Sequence, residues 1–84
     1  SLKASDIDIF DIYIEDYAAC IGHKIIDLHL DKDILISSIV RDGKIIFPKG
    51  DTVIEKNDIL YVLAHTAKIQ SITERLNERQ EENS

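Results

Sequence analysis

The sequence predicts an α+β fold, a small and mostly antiparallel sheet with two helices packed against it as a sandwich. Three observations carry this. Two β-branched runs flank Asp42-Gly43, a continuous apolar run reads Ile59-Leu60-Tyr61-Val62-Leu63-Ala64, and two other stretches place apolar residues at helical spacing. With 84 residues, 44% hydrophobic and 31% charged, the chain has a globular balance and room for one core.

Residues 1–6 carry no pattern and read as a flexible lead-in to a domain spanning 7–76. The stretch Ile7-Asp8-Ile9-Phe10-Asp11-Ile12-Tyr13-Ile14-Glu15 is β-branched and aromatic, hence a strand. Phe10, Ile12 and Ile14 share one face, and Ile7, Ile9 and Tyr13 the other. A strand apolar on both faces needs either two coverings, the second supplied by another copy of the chain, or a bulge between Ile9 and Phe10. From Ala18 to Leu28 the period changes: Ile21, Ile25 and Leu28 fall on one side of a short helix.

The next strand runs from Ile34 to Arg41, with Ile34, Ile36 and Val40 on one face and Leu35 and Ile39 on the other. Asp42-Gly43 then predicts a type I′ hairpin turn, which needs positive φ at both central residues, and Lys44-Ile45-Ile46-Phe47 returns. Pro48 ends that strand because it has no ladder donor to offer. Lys49-Gly50-Asp51 is a turn, Thr52-Val53-Ile54 a brief extended piece, and Glu55-Lys56-Asn57-Asp58 a polar turn. Ile59–Ala64, apolar throughout, is the central strand. Thr66 is placed to cap the last helix, whose buried stripe is Ile69, Ile72 and Leu76. Residues 77–84 contain no apolar side chain and read as a frayed polar tail.

Charge and composition narrow the function. Sixteen acidic against ten basic residues give a net charge of −6, and the basic residues form no stripe, which argues against nucleic acid as a partner. No apolar run approaches the ~18–20 residues that span a bilayer, so direct membrane insertion is not expected. The chain has no methionine even at position 1, which suggests a piece of a longer protein. Cys20 is the single cysteine and fits a buried apolar role in a reducing compartment.

Catalysis requires convergent groups, and the pattern offers none. His23, His29 and His65 lie on three different elements without metal-ligand spacing, and read as surface or element-edge residues. The carboxylates belong to turns (Asp42, Asp51, Asp58) or solvated faces. Gly22, Gly43 and Gly50 are too widely spaced for a phosphate-cradling loop. The expectation is a non-enzyme without metal or cofactor. What remains is the hairpin, an aliphatic ribbon with Arg41 at its rim. An apolar floor beside one fixed positive group suits a planar base carrying a phosphate. The alternative is that the aliphatic groups are core and Arg41 is a solvated turn residue.

The hairpin also carries a resemblance. Ile36-x-x-Ile39-x-Arg41-x-Gly43-x-x-Ile46-x-Pro48-x-Gly50-Asp51-Thr52-x-Ile54-x-x-x-Asp58-x-Leu60 is similar to the core signature of the C-terminal domains of potassium-conductance regulators, the RCK or TrkA-C family. Ile21-Gly22-His23-Lys24-Ile25-Ile26-Asp27-Leu28 resembles that family's glycine-started helix, and the likeness covers residues 7 to 76. Asn57 departs from the family's usual glycine, but Asn is the side chain that best tolerates the left-handed conformation. The resemblance implies a cytoplasmic regulatory module attached to a transmembrane potassium, cation or anion transporter or channel, working as a homodimer. In several members the dimer binds cyclic di-AMP at its two-fold axis. Carried over, the implied contacts are Ile36, Ile39, Ile45, Ile46 and Pro48 on adenine and Arg41 on phosphate. A ligand-free dimerisation module of the same fold, in a transporter or a transcription regulator, is the alternative.

Overall fold

Four strands, β1 (Ile7–Tyr13), β2 (Leu35–Arg41), β3 (Lys44–Ile46) and β4 (Ile59–His65), pair antiparallel in the order β1-β4-β2-β3. The structure, a computed structural model, describes residues 6–81. Residues 1–5 of the expected lead-in and the last three residues lie outside the described residues. β4 takes the centre because it alone is apolar at every position up to Ala64. Leu60, Val62 and Ala64 are buried on its inner side, and Ile59, Tyr61 and Leu63 are half-buried on its outer side. Asp42 and Gly43 both have positive φ (51° and 75°), as the hairpin turn between β2 and β3 requires, and Asn57 takes φ 68° in the turn before β4.

No bulge interrupts β1, which runs in register with β4 from Ile7 opposite His65 to Tyr13 opposite Ile59. The irregularity lies in β2 instead. Ile36 pairs with Val62 and Ser38 with Tyr61, so Ser37 is the extra residue, and its hydroxyl donates to the Tyr61 carbonyl at 3.0 Å. The bulge resets the alternation. Ile36 and Ile39, expected on opposite faces, both point into the core, while Leu35 is left on the outer face.

The first of the two expected helices is absent. Residues 18–28 form turns and a 3-10 turn at Ile25–Leu28. Their backbone groups are used elsewhere. Gly22 N–H donates to Ile54 O, Ile54 N–H to His23 O, Ile25 N–H to Thr52 O and Ile26 N–H to Gly50 O, all at 2.8–3.0 Å. Lys24 and Val53 thereby form a bridge, and Gly22 has φ 86°. A helix would have consumed these donors internally, and the strip 50–54 would have lost its partner. Ile21, Ile25 and Leu28 still pack on the core, so the apolar pattern was informative about burial and misleading about backbone.

The other helix, α1 (Ile69–Leu76), follows a 3-10 turn at Thr66–Lys68 and buries Ile72 and Leu76. Thr66 does not cap the helix; the 3-10 turn leading into it is capped by His65, whose Nδ1 accepts from Ala67 N–H at 3.1 Å. α1, the 18–28 segment and Ile54 cover the inner sheet face, enclosing Ile12, Ile14, Ile39, Leu60 and Val62. Cys20 is buried there as expected, its Sγ donating to Leu76 O at 3.0 Å, and desolvation pushes its thiol pKa up.

Residues 77–80, read from composition as a frayed tail, are docked. Asn77 accepts from Glu15 N–H and donates to Tyr13 O, both at 2.8 Å; Ala19 N–H donates to Glu78 O and Gln80 N–H to Tyr17 O. Arg79 stacks over the Tyr17 ring, 3.9 Å from its centroid. Polar side chains and backbone here satisfy the chain leaving β1, which no apolar count could reveal. Asn77→Ala should lower unfolding stability by about 1–3 kcal/mol in urea titration, because two backbone groups lose their partner. An unchanged midpoint would mean that the docked tail contributes nothing.

Candidate ligand site

The hairpin's residues divide between the two faces of the sheet. Ile36, Ile39 and Ile46 face inward with Arg41, while Ile45, opposite Val40, faces outward and is 65% exposed. Ile39 is wholly buried, Ile36 nearly so, and Ile46 packs half-buried against them. The six residues inferred from the sequence therefore do not form one ribbon. Ile36 and Pro48 meet in a cleft, Ile39 and Ile46 serve the core beneath it, Ile45 lies on the opposite face, and Arg41 turns elsewhere.

Arg41 is not a solvated rim residue. Its Nε donates to Asp58 Oδ1 and its Nη2 to Asp58 Oδ2, both at 2.8 Å, in a two-pronged fork. Nη2 also donates to Val53 O at 2.9 Å, and Nη1 pairs with the Glu55 carboxylate. The Asp58 carboxylate accepts a further bond from Glu55 N–H at 3.0 Å and has no solvent exposure. Asp58 O in turn accepts from Ile14 N–H, and Asn57 N–H donates to Ile14 O. One ion pair thus ties the end of β2, the 52–54 strip, the 55–58 turn and the exit of β1. Hydrogen bonding to Asp58 raises the Arg41 pKa, against a smaller opposing effect of burial.

This constellation was missed because Asp58 sits in a polar turn, where a solvated carboxylate is the ordinary reading. The available signal was the pairing of Val40 with Ile59, which follows once β2 and β4 are neighbours and sets Arg41 beside the turn. Among the described residues, no buried side-chain nitrogen or oxygen lacks a hydrogen-bond partner. Nor do three His, Cys, Asp or Glu side chains converge as metal ligands there.

A concavity lies between the 25–36 segment and the Pro48–Gly50 turn. It has a volume of about 440 Å³, within the roughly 300–1,000 Å³ of small-molecule sites. Ile25, Ile26, Leu30, Ile36 and Pro48 make its apolar lining, and His29, Asp31, Lys32 and Lys49 its polar one. The wall is close at Gly50, where a β-carbon would stand in contact with Ile26 Cβ at 3.4 Å. Beyond the cleft's edge, Lys68 Nζ lies 2.7 Å from Asp33 Oδ2 and 3.6 Å from Asp31 Oδ2. The hydrogen bond from Lys68 holds Asp33 below the usual carboxylate range.

Two outcomes test this geometry. Arg41→Ala should destabilise the domain by about 3–5 kcal/mol in denaturant melts, because Asp58 is left buried without its cation; a loss below 1 kcal/mol would show that the carboxylate finds water instead. In an NMR pH titration, Asp33 should protonate below the ordinary aspartate value and return to it in Lys68→Ala. Since the folded pKa is depressed, the pair's stabilisation is present above the unfolded value and is lost as pH falls through the folded one. Identical Asp33 titrations in both proteins would disprove the link.

Comparison with known proteins agrees with this architecture. Residues 9–77 match the family model of the TrkA-C domain. A Trk system potassium uptake protein TrkA homolog from Archaeoglobus fulgidus is 43% identical over 72 residues, 86% of this chain but 16% of that protein. The chain therefore corresponds to a small part of the length of that relative. Among solved structures, the RCK C domain of the potassium transport protein KtrA in complex with c-di-AMP has a TM-score of 0.72 and 24% identity, over 84% of this chain and 85% of its own. The RCK_C domain dimer of S. agalactiae BusR in complex with c-di-AMP has a TM-score of 0.74 and 22% identity, covering 84% and 97%. An RCK domain solved with cda has a TM-score of 0.73 at 22% identity, covering 82% and 97%. At these identities the structures establish the shared fold. The matched family model, the archaeal relative and the strand order together give the conclusion that this chain belongs to the TrkA-C domain family.

Proposed function

We propose that the chain is the cytoplasmic ligand-sensing domain of an ion transporter or channel, and that its homodimer binds cyclic di-AMP. The observation that carries this is the cleft beside Pro48, an apolar wall for a planar base with cationic groups on its rim and room for one nucleotide half. A two-fold-symmetric dinucleotide would then place one half in each of two symmetry-related clefts. Ile36 and Pro48 are its contacts from the hairpin, Ile39 and Ile46 support them from below, and Ile45 takes part from the outer face. The KtrA and BusR domains of the same fold, solved with c-di-AMP, make that ligand the first to try. The archaeal TrkA homolog makes potassium uptake the first setting to test.

Dimerisation has its own support. The outer sheet face exposes Ile7, Ile9, Tyr13, Leu35 and Ile45, between 37% and 65% each, with no layer of the described residues across it. Such a contiguous apolar surface is a site of association. The same face supports the second reading, an assembly module without ligand.

Calorimetric titration with cyclic di-AMP should give saturable heat at one ligand per two chains, and sedimentation equilibrium should give the mass of a dimer. A dimer with no heat would favour the assembly module. A monomer with no heat would refute both readings.

A further inference from the structure

We propose that Lys32 and Lys49, rather than Arg41, hold the phosphate of a nucleotide ligand in the cleft. This rests on the reading of the cleft as a nucleotide site and assigns the charge within it. Arg41 does not line the cleft, and its guanidinium already serves Asp58, Val53 O and Glu55. A phosphate drawing Arg41 away would leave Asp58 buried and unpaired, which costs more than one exposed charge-assisted bond returns.

Lys32 lines the cleft from the turn preceding β2 and Lys49 from the turn after β3. Among the described residues neither ammonium is engaged in a salt bridge. The backbone beneath Lys49 is pinned: its N–H donates to Thr52 Oγ1 at 2.9 Å, and Thr52 N–H donates to Lys49 O at 3.1 Å. Asp31, the one acid of the cleft lining, lies 3.6 Å from Lys68, an ammonium it shares with Asp33 at 2.7 Å, so the two lysines of the cleft outnumber its acid by one. In a chain of net charge −6, the cleft is thus a locally cationic concavity with an apolar floor. That combination selects a phosphate linked to a planar base over a free base or a bare anion.

The test titrates cyclic di-AMP into wild type, Lys32→Ala, Lys49→Ala and the double variant at two salt concentrations. Both lysines are exposed at turns, so urea midpoints should be unchanged. Each single change should weaken binding about three-fold and the pair about ten-fold, with a shallower salt dependence. A double variant that binds as tightly as wild type, with the same salt dependence, would overturn the assignment while leaving the ligand reading intact. If wild type gives no heat with cyclic di-AMP, the ligand reading falls and NMR titration with millimolar ADP decides the assignment. Amide shifts at 31–33 and 48–50 that vanish in the double variant would support it, and the absence of shifts there would overturn it.

Discussion

The pairing of Arg41 with Asp58 is the contact through which separate parts of the chain are joined. Each partner lies at the end of a strand or in a turn, where packing alone leaves position loosely determined. A carboxylate buried without exposure tolerates few geometries, because each of its oxygens must be satisfied in place. Asp58 meets this with two bonds from Arg41 and one from Glu55 N–H. The demand propagates outward: Arg41 also seats Val53 O, and the 52–54 strip it holds is the partner of residues 22–25. Without that strip, the segment forming one wall of the cleft would have nothing to pair with. A buried ion pair of this kind is better understood as specifying one arrangement than as adding net stability.

The sheet is built asymmetrically around this anchor. Its inner face holds a close-packed aliphatic core, while the outer face presents isoleucine, leucine and tyrosine without a covering layer among the described residues. The bulge at Ser37 turns Ile36 inward and Leu35 outward, giving each face an aliphatic residue at the mouth of the cleft. On the edge strand β1, Asp8 and Asp11 are exposed, a charge pattern that discourages unregulated edge pairing. The apolar side chains thus lie on the sheet face and the charges on the strand edge.

The cleft draws on two segments 12 or more residues apart, the 25–36 stretch and the Pro48–Gly50 turn. They are brought together by β2 and by the bond from Ile26 N–H to Gly50 O. A concavity between two turns, rather than within the core, can change shape without disturbing the buried pair. The same 3-10 turn also accepts, at Leu28 O, a bond from Arg75 on α1, so one wall of the cleft is attached to the helix.

The strands, the hairpin, the central place of Ile59–His65 and the buried stripe of α1 were all legible in the sequence. Each depends on local chemistry: β-branched runs, positive φ at Asp42 and Gly43, apolar alternation or helical spacing. Tertiary structure decided the rest. Ile21, Ile25 and Leu28 have helical spacing, but residues 22–26 gave their backbone donors and acceptors to residues 50–54, a choice set by partners 24 to 32 residues away. Asn77 to Gln80 looked like a solvated tail because polarity alone cannot show which backbone groups it will satisfy. Arg41 looked like a ligand's cation for the same reason: its type and its turn were visible, whereas the buried carboxylate opposite it appears only when β2 is laid against β4. Sequence determines which groups demand burial or a partner; only the assembled fold determines which partner is within reach.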